Sequence, residues 1–209
     1  FYGGALEGAM SFGPAMDKSK LIGLVTGTGW SEFIELNRMA FSDRLPRNSE
    51  SRALGVAFRM IGKHYPHIEW IVSFSDGAQC GDGTIYRASG FYLTGIKKNT
   101  SIWKAPSGES FSRTALTDQT SAEQKVKAKQ IVSRTTVIKG AHAQQAGGGA
   151  SMKIYKDAGW EPIPGFQLRY IYFLNPAARE RLTVPVLPFS KIGEMGASMY
   201  RGEKITRTK

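Results

Sequence analysis

"SFSDGAQCGDGTIYRASGFYLTG" runs from Ser73 to Gly95, and its reading decides the fold. An apolar strand, Trp70–Phe74, breaks into Asp76, the glycines Gly77, Gly81 and Gly83, and the lone Cys80, then restarts as YRASGF. Open α/β sheets place their ligands just past the C-terminal ends of strands, where Asp76 is expected. The glycines permit positive φ or the close approach of another group. A surface hairpin turn would use the same "GDG", and Tyr86 and Phe91 would serve a core equally well. Cys80 has no histidine or other thiolate-stabilising group beside it in sequence, so it reads as non-catalytic.

Working outward, the flanking patterns predict strands alternating with helices. "FYGGALEGAMSF" (Phe1–Phe12) reads as two short strands about a turn, and Gly13–Gly29 as a loop. "SEFIELNRMAF" (Ser31–Phe41) alternates as a strand does, and Arg52–His64 takes up helical spacing through Leu54, Phe58 and Ile61. Asn48 or Ser49 is placed to cap that helix, and Lys63 and His64 suit its negative end. Ile68–Phe74 is the next strand, followed by a short helix at Ile85–Ser89 and a strand at Phe91–Ile96. Lys97–Gln124 is polar and reads as loop, Ala122–Val132 as a basic helix, and Gly147–Gly149 as a turn. Ser151–Ala158 is a short helix and Phe166–Leu174, "FQLRYIYFL", a strand. "YRASGF" and "YKDAGW" share a helix-to-strand logic. The sum is an α/β protein with a mixed sheet. Residues 1–178 are expected to form the main domain, and 179–209 a basic, proline-containing extension. Because the chain opens on Phe1-Tyr2 inside a strand-like stretch, we expect an N-terminal portion to precede it.

Charge points to the partner. Lys+Arg number 28 against 17 Asp+Glu, a net +11 over 209 residues, and such an excess favours a polyanion, although a solvated basic surface would also produce it. One cysteine excludes an internal disulfide and a multi-thiolate zinc site, in keeping with a cytoplasmic protein. No apolar run approaches the ~20 residues that span a bilayer. His64, His67 and His142 make a poor metal set, with Glu69 the one carboxylate near His64 and His67, so no metal is expected. The loop-to-helix junction Leu45–Arg52 is the first ligand candidate. A helix start offers backbone N–H groups to phosphate, and Arg47 and Arg52 add guanidinium donors.

Taken together, these residues resemble a known family. A strand, a basic loop at a helix start, a second strand and then Tyr86, Gly90 and Phe91 in Y-x-x-x-G-F look like the core of the GNAT acyltransferase fold. More specifically, "YGGALEGAMSFG", "ELNRMAFSD…RNSESRALG", "FSDGAQCGDGTIYRASGF" and "GFQLRYIYFL" resemble the phage Mom family of DNA adenine-modification proteins. The resemblance covers Tyr2 to Leu174 and is most specific from Asp76 to Tyr86. "RNSESRALG" departs from the usual GNAT phosphate motif, because it lacks the paired glycines.

The resemblance implies an enzyme that converts adenine N6 in phage DNA to its carbamoylmethyl (acetamido) form with acetyl-CoA, hiding the DNA from host restriction. It implies four active-site residues. Asp76 would orient or deprotonate the amino group, and Tyr86 would protonate a departing thiolate. Arg38 would hold an oxyanion or phosphate, and Ser51 the pyrophosphate. Arg47, Asn48, Ser49 and Arg52 would join Ser51 in holding the cofactor. It also implies one cleft, where neighbouring strands splay, with Asp76 and Tyr86 at its mouth beside a cationic helix tip. Lys97, Lys98, Lys125, Lys127, Lys129 and Arg134 would contact phosphates of double-stranded DNA while the target base leaves the stack; their alternative is a solvated face. Adenine N6 is a poor nucleophile, so simple general-base catalysis falls short of explaining its alkylation. Two rivals remain: a GNAT-type N-acetyltransferase acting on a protein or small-molecule amine, and a non-catalytic DNA-binding protein.

Overall fold

The computed structural model describes residues 1–78, 81–113, 116, 152–200 and 203–204. Its centre is a five-stranded mixed sheet built from β1 (Gly8–Gly13), β2 (Phe33–Phe41), β3 (Trp70–Asp76), β4 (Tyr92–Asn99) and β8 (Gly165–Phe173), in the order β1-β2-β3-β8-β4. β1 and β2 are antiparallel, with a bulge at Ser11/Phe12. β2 and β3 are parallel, which requires a crossover between them. That crossover is α2 (Ser49–His64), three residues longer at its start than its apolar spacing predicted. Leu54 and Phe58, one turn apart, are its buried stripe. It ends at Tyr65, whose N–H still reaches the Ile61 carbonyl, and Pro66 then blocks continuation.

Backbone bonds fix the remaining directions. Gly77 N–H donates to Phe166 O at one end of β3, while Leu174 and Asn175 N–H donate to Glu69 O at the other, so β8 runs antiparallel to β3. The rings of Tyr92 and Phe173 meet at the opposite end of β4 from Asn99, which lies by Gly165. β8 is therefore antiparallel to β4 as well. The expected mixed α/β sheet is present. β3 is a run of buried residues (Trp70, Ile71, Val72 and Ser73), as suits a strand covered on both faces.

The chain divides into two compact units. The first comprises Phe1–Ser75, Gly81–Lys97 and Gln167–Ser198. A hydrophobic cluster in it gathers Leu24, Val25, Phe33, Trp70, Val72, Ile171 and Ala178. Phe33 stacks on Trp70 at 4.3 Å, and the indole N–H of Trp70 donates to Thr28 Oγ1. The stretch Gly13–Gly29, expected as loop, holds a short helix, α1 (Lys18–Leu21), and a 3-10 turn, Ile22–Leu24, because Leu21, Leu24 and Val25 are drawn into this core. After a 3-10 turn at Pro176–Arg181, Thr26 N–H donates to Arg181 O and Thr183 N–H to Leu24 O. A last short helix, α5 (Ser190–Glu194), follows in this unit.

The second unit comprises Asp76–Cys80, Lys98–Phe166 and Met199–Lys209. It corrects one expectation. Within the stretch read as polar loop, β5 (Ile102–Lys104) and β6 (Ser110–Ser112) pair antiparallel, and β7 (Glu161–Pro162) joins the other edge of β5. Trp103 faces Phe111 across the ladder, the kind of aromatic pair that stabilises short strands. Leu116, Tyr155 and Trp160 close this core. Tyr155 belongs to α4 (Met152–Asp157), while β9 (Met199–Tyr200) and β10 (Glu203–Lys204) form a small antiparallel ribbon. The expected basic helix at Ala122–Val132, the turn at Gly147–Gly149, Cys80 and His142 lie outside the described residues.

Candidate functional site

In the first unit, β2 and β3 keep register only over Phe33–Glu35 against Trp70–Val72. Beyond that, Ser73 Oγ reaches Leu36 O at 3.4 Å, and Arg38 to Phe41 pair with β1. Neighbouring parallel strands thus part toward their C-terminal ends. On β2 the exposed Arg38 donates to Asn37 O and makes no ion pair among the described residues.

The start of α2 differs from its expected form. Neither Asn48 nor Ser49 caps it through a side chain. Asn48 lies in the left-handed region (φ 66°, ψ 15°), whereas a capping residue needs extended backbone to bring its oxygen onto the first-turn N–H groups. The Ser49 hydroxyl donates to Pro46 O at 2.6 Å and that of Ser51 to Asn48 O at 3.1 Å, so both satisfy carbonyls. The first turn is therefore left without a side-chain cap, with exposed Arg47 and Arg52 beside it. Such a donor set fits an anion like a pyrophosphate. Glu50, in the same turn, subtracts one charge.

Tyr86 sits on α3 (Thr84–Ala88). The helix starts from Gly83, in a left-handed conformation (φ 78°), where a Cβ would lie 2.5 Å from the Tyr170 ring. It ends in a paired turn: Gly90 (φ 82°) donates to Arg87 O and Phe91 to Tyr86 O. The half-buried Tyr86 ring packs on Phe91 at 5.2 Å and on Tyr170 at 5.1 Å. Tyr170 is in turn locked by its hydroxyl, which donates to Asp82 O at 2.5 Å. Nothing in the sequence of "FQLRYIYFL" marked Tyr170 as the floor under Tyr86, because the contact joins residues 84 apart.

Asp76 belongs to the second unit and is the last residue of β3 rather than the first beyond it. Its Oδ1 accepts from Ala78 N–H at 2.9 Å. Its Oδ2 accepts from the Asn99 amide at 2.6 Å and the Ser101 hydroxyl at 3.4 Å. Sequence reading had placed Asn99 and Ser101 in polar loop and missed both.

Lys97 and Lys98, on β4, are exposed and form no ion pair among the described residues. Lys125, Lys127, Lys129 and Arg134 lie outside those residues. In the first unit the half-buried Arg169 donates to Thr94 Oγ1 and Thr94 O, and desolvation holds its pKa below the ordinary guanidinium value. Two open concavities, of about 550 and 520 Å³, flank Tyr92; neither is lined by Arg38, Ser51 or Tyr86. Among the described residues no group of three His, Cys, Asp or Glu is arranged to hold a metal, and no helix is long and apolar enough to cross a membrane.

A mixed sheet with a parallel β2–β3 pair, crossed over by a helix whose start has no side-chain cap, defines a mixed α/β protein. The chain belongs to the Mom protein family, which matches residues 1–191. It is similar to the methylcarbamoylase mom of Escherichia phage Mu, with 40% identity over 101 residues. That stretch is 48% of this chain and 42% of the phage protein, so less than half of the relative's length is matched.

Proposed function

We propose that this chain is the catalytic part of a phage DNA-modifying transferase with a GNAT-like acyltransferase fold, acting on adenine N6 with acetyl-CoA to leave the carbamoylmethyl group. The observation that carries the reading is membership of the Mom family over residues 1–191, with a relative named as a methylcarbamoylase. The parting of β2 from β3 and the uncapped start of α2 support it.

Arg47, Asn48, Ser49, Ser51 and Arg52 are the residues that would hold the cofactor's phosphates. Bound there, acetyl-CoA would supply only the two carbons of the new substituent and release its thiolate, while the amide nitrogen must come from an ammonia-level donor and the N–CH2 bond needs a two-electron oxidant as co-reactant. Arg38, exposed and without an acidic partner among the described residues, would neutralise developing negative charge or a phosphate. Tyr86, its ring held between Phe91 and Tyr170, would deliver a proton from a fixed hydroxyl. Asp76, its carboxylate oriented by Ala78, Asn99 and Ser101, would align the target amino group and take its proton. The exposed Lys97 and Lys98 would contact DNA phosphates, and a basic protein of net charge +11 would be drawn to the duplex.

The test is to express the full-length gene beside a plasmid, digest the plasmid DNA and weigh its nucleosides. An adenosine heavier by an acetamido group is expected. Asp76→Ala should abolish it while the protein stays folded. Unmodified plasmid together with acetyl transfer to a protein or small-molecule amine would favour the N-acetyltransferase reading, and the absence of acetyl-CoA binding would leave a DNA-binding protein without catalysis.

A further inference from the structure

We propose that Asn99 is a positioning residue, assisted by Ser101, that aims the Asp76 carboxylate. The proposal rests on the reading of Asp76 as a catalytic group, and it adds a residue pair that the motif itself does not contain.

Ending a strand on an aspartate needs little. One side-chain oxygen accepting the N–H two residues on makes a complete local turn, and Asp76 Oδ1 does this with Ala78 at 2.9 Å. That bond holds one carboxylate oxygen. The second oxygen is fixed from far along the chain, by Asn99 Nδ2 at 2.6 Å and Ser101 Oγ at 3.4 Å, 23 and 25 residues away.

The amide's orientation is determined rather than chosen. Ser101 N–H lies 3.0 Å from the Asn99 side chain and is only a donor, so it must face Oδ1. Nδ2 is thereby turned toward Asp76. Asn99 thus does two separable things: its oxygen holds the turn between β4 and β5, and its nitrogen holds the carboxylate.

The surroundings admit the arrangement at close quarters. Gly165 packs on both partners; a Cβ there would lie 3.1 Å from Ala78 Cβ and 3.6 Å from Asn99 O. Gly77 N–H is tied to Phe166 O, and Ser101 O accepts from Arg113 N–H. Three segments of the second unit therefore converge on one carboxylate, and their backbones are themselves anchored.

The two roles can be separated by Asn99→Asp in the full-length enzyme. Aspartate keeps the shape and the oxygen that accepts from Ser101 N–H, but has no amide to donate. Nucleoside production from plasmid DNA is measured with DNA and acetyl-CoA varied in turn, alongside thermal unfolding. A fall in kcat of about 10- to 100-fold is expected, with both KM values within twofold. Wild-type kcat in Asn99→Asp, in an enzyme whose Asp76→Ala variant is dead, overturns the positioning role and leaves the reading of Asp76 standing. Activity retained in Asp76→Ala fails that reading itself, and the positioning role falls with it. Should Asn99→Asp not fold, Ser101 decides. Loss of kcat in Ser101→Ala with recovery in Ser101→Thr supports the assignment, and wild-type kcat in both overturns it.

Discussion

Two stretches of this chain share one motif and do different work. "YRASGF" lies in the first unit and "YKDAGW" in the second. Each is a short helix closed by a left-handed glycine, Gly90 and Gly159, both at φ 82°. In each, the aromatic residue after the glycine donates its N–H back to the tyrosine carbonyl five residues earlier, Phe91 to Tyr86 and Trp160 to Tyr155. In each, that residue's ring then packs on the tyrosine, at 5.2 and 5.4 Å. The divergence lies in what surrounds the tyrosine. Tyr155 is fully buried and its hydroxyl is committed to Leu116 O at 2.9 Å. Tyr86 is half-buried, on a floor made by Tyr170. Similar local chemistry thus yields one tyrosine that is part of a core and another that stays partly exposed to solvent.

The largest effect should separate the two tyrosines by activity. Tyr86→Phe is expected to lower modification about 10²- to 10⁴-fold, as loss of a general acid does, with little change in stability. Tyr155→Phe should leave the turnover of folded enzyme unchanged, and equal losses from the two would end the distinction. Next comes Gly83→Ala, which forces a Cβ into the Tyr170 ring at a positive φ. Strain and overpacking together should cost about 3 kcal/mol, read from urea unfolding. Gly90→Ala and Gly159→Ala sharpen the likeness. The nearest atoms, Tyr172 Cε2 at 3.6 Å and Pro106 Cγ at 3.5 Å, are ordinary contacts, so each substitution should cost only the left-handed strain, about 1–2 kcal/mol. Values differing by much more than that would show that the two turns are not equivalent. The smallest effect is the stability cost of Tyr155→Phe, about 1 kcal/mol for one buried hydrogen bond, seen as a lowered Tm.

Much of this was legible in the residues alone. The alternation in β2, the apolar run of β3 and the Leu54–Phe58 stripe of α2 all announced themselves, because periodicity is a local property. The shared turn of Tyr86 and Tyr155 was also legible, since Y-x-x-x-G followed by an aromatic residue needs only neighbours five residues apart. Two things were not. β5 and β6 hide in a polar stretch, because three-residue strands carry too little pattern to rise above their composition. The cap expected at Asn48 failed because the backbone there is left-handed, and a residue type does not announce its φ.

The candidate site shows the same boundary. Arg38, Ser51, Asp76 and Tyr86 became candidates through the family resemblance, on strands, a helix start and the helix after a glycine-rich turn. The hands that hold them did not: Asn99 and Ser101 reach Asp76 from more than twenty residues away, and Tyr170 reaches the turn before Tyr86 from farther still.

By itself the sequence determined the longer strands and helices, the basic charge, and the family to which the chain belongs. Only the tertiary structure decided the order of strands, the early parting of β2 from β3, and which of two like tyrosines is fully buried. The reason is physical. Secondary structure follows from interactions within a few residues, whereas burial and the aim of a side chain depend on groups that the chain brings together only by folding.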